Sequence, residues 1–120
     1  MAFSVDDPVG VYVRELGGIP PLSRAEEIDC VQHVRAGDVM AEAAASRLTE
    51  ANLLLVVSIA ERYKNDRIHV LDLIQRGNEG LLRAVQSISD NRDESFSAYA
   101  TGFIERALEE AISLSGSTGV

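Results

Sequence analysis

The chain has 120 residues, 46% of them hydrophobic, which bounds it to one domain with one core. Its 11 basic and 19 acidic side chains give a net charge of −8. That sign excludes a generally basic nucleic-acid binder and leaves only a local basic face for phosphate contact. The single cysteine, Cys30, excludes an internal disulfide and fits a reducing compartment. No run reaches the roughly 18 apolar residues of a membrane span. The start, MAFSVDDPVG, carries acid where a signal peptide carries base. A cytoplasmic protein with no membrane contact is expected.

In chain order, Asp7 followed by Pro8 is an N-cap with proline at the first helical position. That helix is expected to run to about Leu16 and stop at Gly17-Gly18, with Ile19-Pro20-Pro21 as a rigid connector. Ser23 with Glu26 is a capping box that opens a second helix, and Gly37 ends it. The alanine-rich run Ala41 to Ala45 leads into a long helix ending near Lys64, with Asn65-Asp66 as the break. A third major helix is predicted from Val70 to about Ser89, then a polar loop, Asp90 to Asp93. A fourth is predicted from about Ser95 to Leu114, and Ser115 to Val120 reads as a disordered tail. No segment alternates at strand spacing. The expected fold is all-α: three long helices packed together, with shorter N-terminal helices folded back on them. Residues 1–114 form one domain, with N-terminal helices over 7–37 and a core over 38–114.

The stretch Leu71 to Val85, LDLIQRGNEGLLRAV, is the most informative. Read as a helix, it lines Asp72, Gln75, Arg76, Glu79, Arg83 and Gln86 along one stripe. Val70, Leu71, Ile74, Leu81, Leu82, Val85 and Ile88 cover the other side. Asp72–Arg76 and Glu79–Arg83 are i,i+4 pairs with acid before base, the favourable order. Gly77 and Gly80 each cost the helix roughly 1 kcal/mol against alanine, so something other than helix propensity selected them.

This stretch resembles the core-polymerase-binding helix of the sigma-70 family of bacterial transcription initiation factors. Asn52 to Tyr63, NLLLVVSIAERY, resembles the helix before it in that family. Phe96 to Ile112, FSAYATGFIERALEEAI, resembles the promoter-opening helix after it. Asp7 to Gly17, Pro21 to Arg24 and Glu27-Ile28 resemble the family's short N-terminal conserved region. No stretch resembles the family's later domains, which by that likeness would recognise upstream promoter elements.

The resemblance implies a compact helical fold of the sigma region 2 type. It also implies docking on a coiled-coil clamp of the largest subunit of RNA polymerase core. Asp72, Gln75, Gly77, Asn78 and Gly80 match the family pattern, while Arg76 and Glu79 stand where glutamate and an apolar residue are usual. The candidate polymerase contacts are Asp72, Gln75, Arg76, Asn78, Glu79 and Arg83.

For promoter DNA, the resemblance implies contacts through Tyr12 and Arg14 near the start and Tyr99 and Phe103 in the last helix, and Arg106 is a further candidate there in a modified melting site. Capture of a flipped base needs an aromatic platform and cations along the phosphates. Ala98, Gly102, Glu105 and Glu109 share the face expected to do this. The family carries tryptophan at the place of Gly102 and arginines at those of Glu105 and Glu110. From Arg92 to Ile112 there are five acids against two bases, a balance of −3. Glu105–Glu109 is an unfavourable i,i+4 pair, which Arg106 can offset by pairing with Glu109 or Glu110. Weakened or absent promoter melting is expected.

No enzyme is expected. Cys30 and His33 lie three apart and His69 elsewhere, with no base and orienting partner and no zinc spacing. No metal and no cofactor are implied. The preferred reading is a sigma-like initiation or regulatory domain that docks on polymerase and binds promoter DNA weakly. Its rivals are a working promoter-binding sigma domain and a sigma-fold module that pairs with itself or with an anti-sigma-like protein.

Overall fold

The computed structural model describes residues 7–88 and 94–118. Those residues form α1 (Pro8–Leu16), α2 (Arg24–Ala36), α3 (Ala41–Ala51), α4 (Leu53–Tyr63), α5 (Val70–Gln86) and α6 (Phe96–Thr118). The fold is all-α, as the spacing predicted. The loop read at Asp90 to Asp93 lies outside the described residues. α6 runs past the expected end near Leu114 to Thr118, and residues 119 and 120 lie outside the description.

The boundary signals act locally as their chemistry dictates. Asp7 Oδ1 accepts from the Gly10 N–H at 2.6 Å. Ser23 Oγ accepts from the Glu26 N–H at 3.1 Å, and Glu26 Oε1 accepts from the Ser23 N–H at 2.9 Å, which closes the capping box. Gly37 ends α2 in the left-handed region at φ 63°.

The long helix expected from the alanine-rich run to Lys64 is two helices, bent by 41° at Asn52. Asn52 is buried, and its side chain turns back to donate to the Leu48 carbonyl at 2.8 Å. Its Oδ1 accepts from the Ser97 hydroxyl of α6, also at 2.8 Å. An asparagine bonding the chain four residues back competes with regular helix and bends it. The bend lets α3 lie on α2 and α5 while α4 packs between α5 and α6.

The core is Leu48, Val56, Val57, Ile59, Leu73, Leu81, Ile104 and Leu108 with their neighbours, joined by Val9 and Leu16 of α1. α2 buries no residue fully; Cys30, Val31 and Val34 rest half-buried on this core. No single helix among the described residues is long and apolar enough to cross a membrane, and the apolar side of the bent α3–α4 pair is core.

α5 lies close against α6 at Gly80 and close against α4 at Gly77, because these two residues of α5 lack side chains. A Cβ on Gly80 would lie 2.6 Å from the Phe103 carbonyl oxygen and 3.0 Å from the Ile104 Cα. One on Gly77 would lie 2.6 Å from Val56 Cγ1 and 3.4 Å from Ile104 Cγ2. The two glycines therefore serve helix packing and point away from the polar stripe.

Candidate functional site

At about 100° per residue, the buried side of α5 spans Leu73, Ile74, Gly77, Gly80, Leu81, Ala84 and Val85. The opposite side presents Asp72, Gln75, Arg76, Glu79, Arg83 and Gln86, all exposed. Five of the six expected contact residues thus share one open face. Asn78 sits at its edge, half-buried, with Oδ1 shielded and without a hydrogen-bond partner. The charges pair differently from the sequence reading. Arg76 reaches Glu79 at 3.3 Å, one turn in the other direction, and Arg83 reaches Glu110 of α6 at 3.9 Å.

One residue of this face was misplaced by the sequence. Leu82, expected in the core, is 47% exposed. It stands seven residues after Gln75, so it shares that side of the helix. The seven-residue spacing carried this signal, and hydrophobicity alone hid it. At the start of α5 the stripe borders a groove of about 540 Å³. Asp72, Gln75, Arg76 and Glu79 line one wall, and Ala111 and Leu114 of α6 line the other.

α6 buries Phe96, Ala100, Ile104, Ala107 and Leu108, while Phe103 and Ala111 are half-buried. Tyr99 packs against Phe103 with ring centroids 5.1 Å apart and against Phe96 at 6.4 Å, the rings tilted by 57° and 51°. Its hydroxyl donates to the Ser87 carbonyl at the end of α5, at 3.1 Å. Arg106 does not pair with Glu109 or Glu110 as expected. Its guanidinium lies 5.1 Å over the Phe103 ring, a cation–π contact. The structure thus gathers Tyr99, Phe103 and Arg106 into one ladder.

The acids of α6 take partners from the neighbouring helices. Glu105 meets Arg62 of α4 at 3.6 Å, and Glu109 Oε2 accepts from the Tyr63 hydroxyl at 3.4 Å. Burial, then the Glu105 and Glu109 carboxylates, push the Tyr63 hydroxyl above its ordinary acidity range. Gly102 is different from the α5 glycines, because an added Cβ would meet nothing within 4 Å. Tyr12, half-buried, and the exposed Arg14 ride on α1, whose packing partner is α4.

The cysteine and histidines have local roles. Burial raises the Cys30 thiol. His69 accepts from the Leu71 N–H at 3.1 Å and so caps α5. His33 meets Asp38 at 2.7 Å. Among the described residues no group of three His, Cys, Asp or Glu is placed to hold a metal.

Comparison with known families decides what this helical arrangement is. The sigma-70 region 2 model matches residues 48–114, and the sigma-70 region 1.2 model matches residues 7–39. The chain belongs to the sigma-70 family. Region 1.2 covers α1 and α2, and region 2 runs from the end of α3 through most of α6. The chain is 47% identical over 109 residues to the RNA polymerase sigma factor SigA of Clostridium acetobutylicum, covering 91% of this chain. It is 45% identical over 108 residues to the protein of that name in Listeria monocytogenes, covering 90% of this chain. It spans 28% of the length of each of these curated relatives.

Proposed function

We propose that this sigma-70 family chain acts in transcription initiation by docking on RNA polymerase core through the outer face of α5, with weakened capacity to melt promoter DNA. Docking falls to Asp72, Gln75, Arg76, Glu79, Arg83 and Leu82, with Asn78 at the rim, and its target is the clamp coiled coil of the largest subunit. Regions 1.2 and 2 act together as one helical domain, with no catalytic step, in the bacterial cytoplasm.

The contrast between two neighbouring helix faces supports this reading. The α5 face combines an exposed leucine with exposed polar groups, of which Arg76 pairs with Glu79 and Arg83 with Glu110 at the surface, a composition suited to a partner. The α6 face has open space at Gly102 and anions at Glu105 and Glu109. A phosphate backbone is repelled there, and no wedge stands ready to stack on a displaced base.

Retention of polymerase core by the wild-type chain, and its loss in the Asp72→Ala, Gln75→Ala double variant, tests the docking half. Absence of wild type from the bound fraction would sink it and leave self-association or an anti-sigma-like protein as the partner to be sought. A single-stranded oligonucleotide carrying the melted promoter element tests the other half. Sequence-selective affinity that falls steeply with salt would favour a second reading, in which Tyr99, Phe103 and Arg106 form a modified capture site. The specific observation behind that reading is the Arg106 guanidinium held over Phe103.

A further inference from the structure

The first turn of α6 leaves backbone N–H groups that the helix itself cannot satisfy. Ser95 serves locally: its Oγ accepts from the Ala98 N–H at 3.1 Å. The Phe96 N–H is served from far away. It donates to Glu27 Oε2 of α2 at 3.2 Å, across 69 positions of sequence. The Glu27 side chain is 14% exposed, and Arg24 holds the same oxygen at 2.5 Å. A carboxylate fixed at the start of a helix also meets the positive end of the helix dipole. One residue further on, the Ser97 hydroxyl is tied to Asn52.

From these contacts we propose that Glu27 is a positioning residue for α6. Its carboxylate, carried by α2, terminates α6 from outside and so sets the lie of Phe96, Tyr99 and Phe103. The chemistry suits such a role. A charged acceptor bonding an orphan N–H is stronger than a neutral one. The Arg24 guanidinium restricts the carboxylate's rotamers and offsets its charge, so the acceptor is preorganised. Phe96 is buried and heads the aromatic ladder, and Tyr99 and Phe103 follow it on the same side of the helix. A shift of α2 is thereby transmitted to the α6 rings through one hydrogen bond. The inference is independent of what α5 docks on.

Residue-resolved amide exchange and ring resonances of the whole chain test it, using Glu27→Ala and Glu27→Gln. In Glu27→Ala the Phe96 amide should exchange about fivefold faster, the effect of a lost cap, with α5 amides unchanged. The Tyr99 and Phe103 ring resonances should move. Glu27→Gln keeps an acceptor, so exchange should rise by no more than about twofold, and the rings should return towards wild-type positions. Two results would overturn the proposal. One is wild-type exchange at Phe96 in both variants. The other is acceleration spread evenly over α2, α5 and α6, which marks Glu27 as merely stabilising. If Glu27→Ala does not fold, Glu27→Met, which keeps the side-chain stem but removes the acceptor, decides between the same outcomes.

Discussion

A methyl group on Gly80 would press on the Phe103 carbonyl, a backbone atom that moves only if α6 moves. Alanine would gain about 1 kcal/mol of helix propensity there, but overpacking a close contact costs about 1–3 kcal/mol. Gly80→Ala is therefore expected to lower stability by about 1 kcal/mol, a fall of several degrees in melting temperature. Gly77→Ala should act in the same direction, because Val56 is β-branched and has few rotamers to retreat into. Gly102 has open space around it, so Gly102→Ala should raise stability by up to about 1 kcal/mol. Urea unfolding of the three variants checks the signs. Destabilisation at residue 102, or stabilisation at residue 80, would contradict the packing described. These glycines also show what the sequence withheld. The cost of Gly77 and Gly80 to the helix was plain in the sequence, but its reason lies on α4 at Val56 and on α6 at Phe103, each more than twenty positions away.

At the scale of elements, Leu82 and the cross-helix ion pairs shape the two faces proposed for polymerase and for DNA. Leu82 is about half exposed already, so burying the rest of it on a partner is worth about 1 kcal/mol. Leu82→Ser should weaken core-polymerase binding by roughly fivefold while leaving the melting temperature within a degree or two. Loss of folding stability instead would return Leu82 to the core role first read from its hydrophobicity. On α6, the open space at Gly102 has room for a ring. Gly102→Trp should raise single-stranded oligonucleotide affinity by about tenfold, within the range of base stacking, as fluorescence titration would read. Helix starts and stops were legible because caps are local chemistry: Asp7, Ser23 with Glu26, and Gly37 each act on atoms a few residues away. The α5 stripe was legible for the same reason, since periodicity is a property of one helix. The break at Asn52 was not, because it depends on the burial of that side chain and on Ser97. Nor were the Glu105–Arg62 and Glu110–Arg83 pairs, which exist only once α4, α5 and α6 are side by side.

Across the whole molecule, the turn between α2 and α3 joins the region 1.2 segment to region 2, and a titrating pair fastens it. His33 Nδ1 lies 2.7 Å from Asp38 Oδ2, and Asp29 stands 3.6 Å from the other ring nitrogen. Asp38 Oδ1 also accepts from the Met40 N–H at 2.9 Å, just ahead of α3. The hydrogen bond to Asp38 is the main cause that raises the His33 pKa above its ordinary 6.5. The same bond is the main cause that lowers Asp38 below its ordinary 3.8. A raised histidine contributes stability that is complete below its unfolded pKa and is lost as pH rises through its folded one. A lowered carboxylate contributes stability present above its unfolded pKa and lost as pH falls through its folded one. The clasp is therefore strongest between about pH 4 and pH 6.5 and fades through neutrality. Both groups are solvent-exposed, so the effect is modest and screened by salt. Lowering the pH also relieves the self-repulsion of a chain with net charge −8, so wild type alone cannot isolate the pair. Asp38→Asn keeps an acceptor for Met40 but removes the charge from His33. The melting temperature of wild type relative to that variant should be higher near about pH 5.5 than near about pH 8.5. The difference should shrink at high salt, and an NMR titration should place the His33 midpoint lower in the variant. A pH-independent difference between the two proteins would show that the turn is held by Gly37 and the backbone alone.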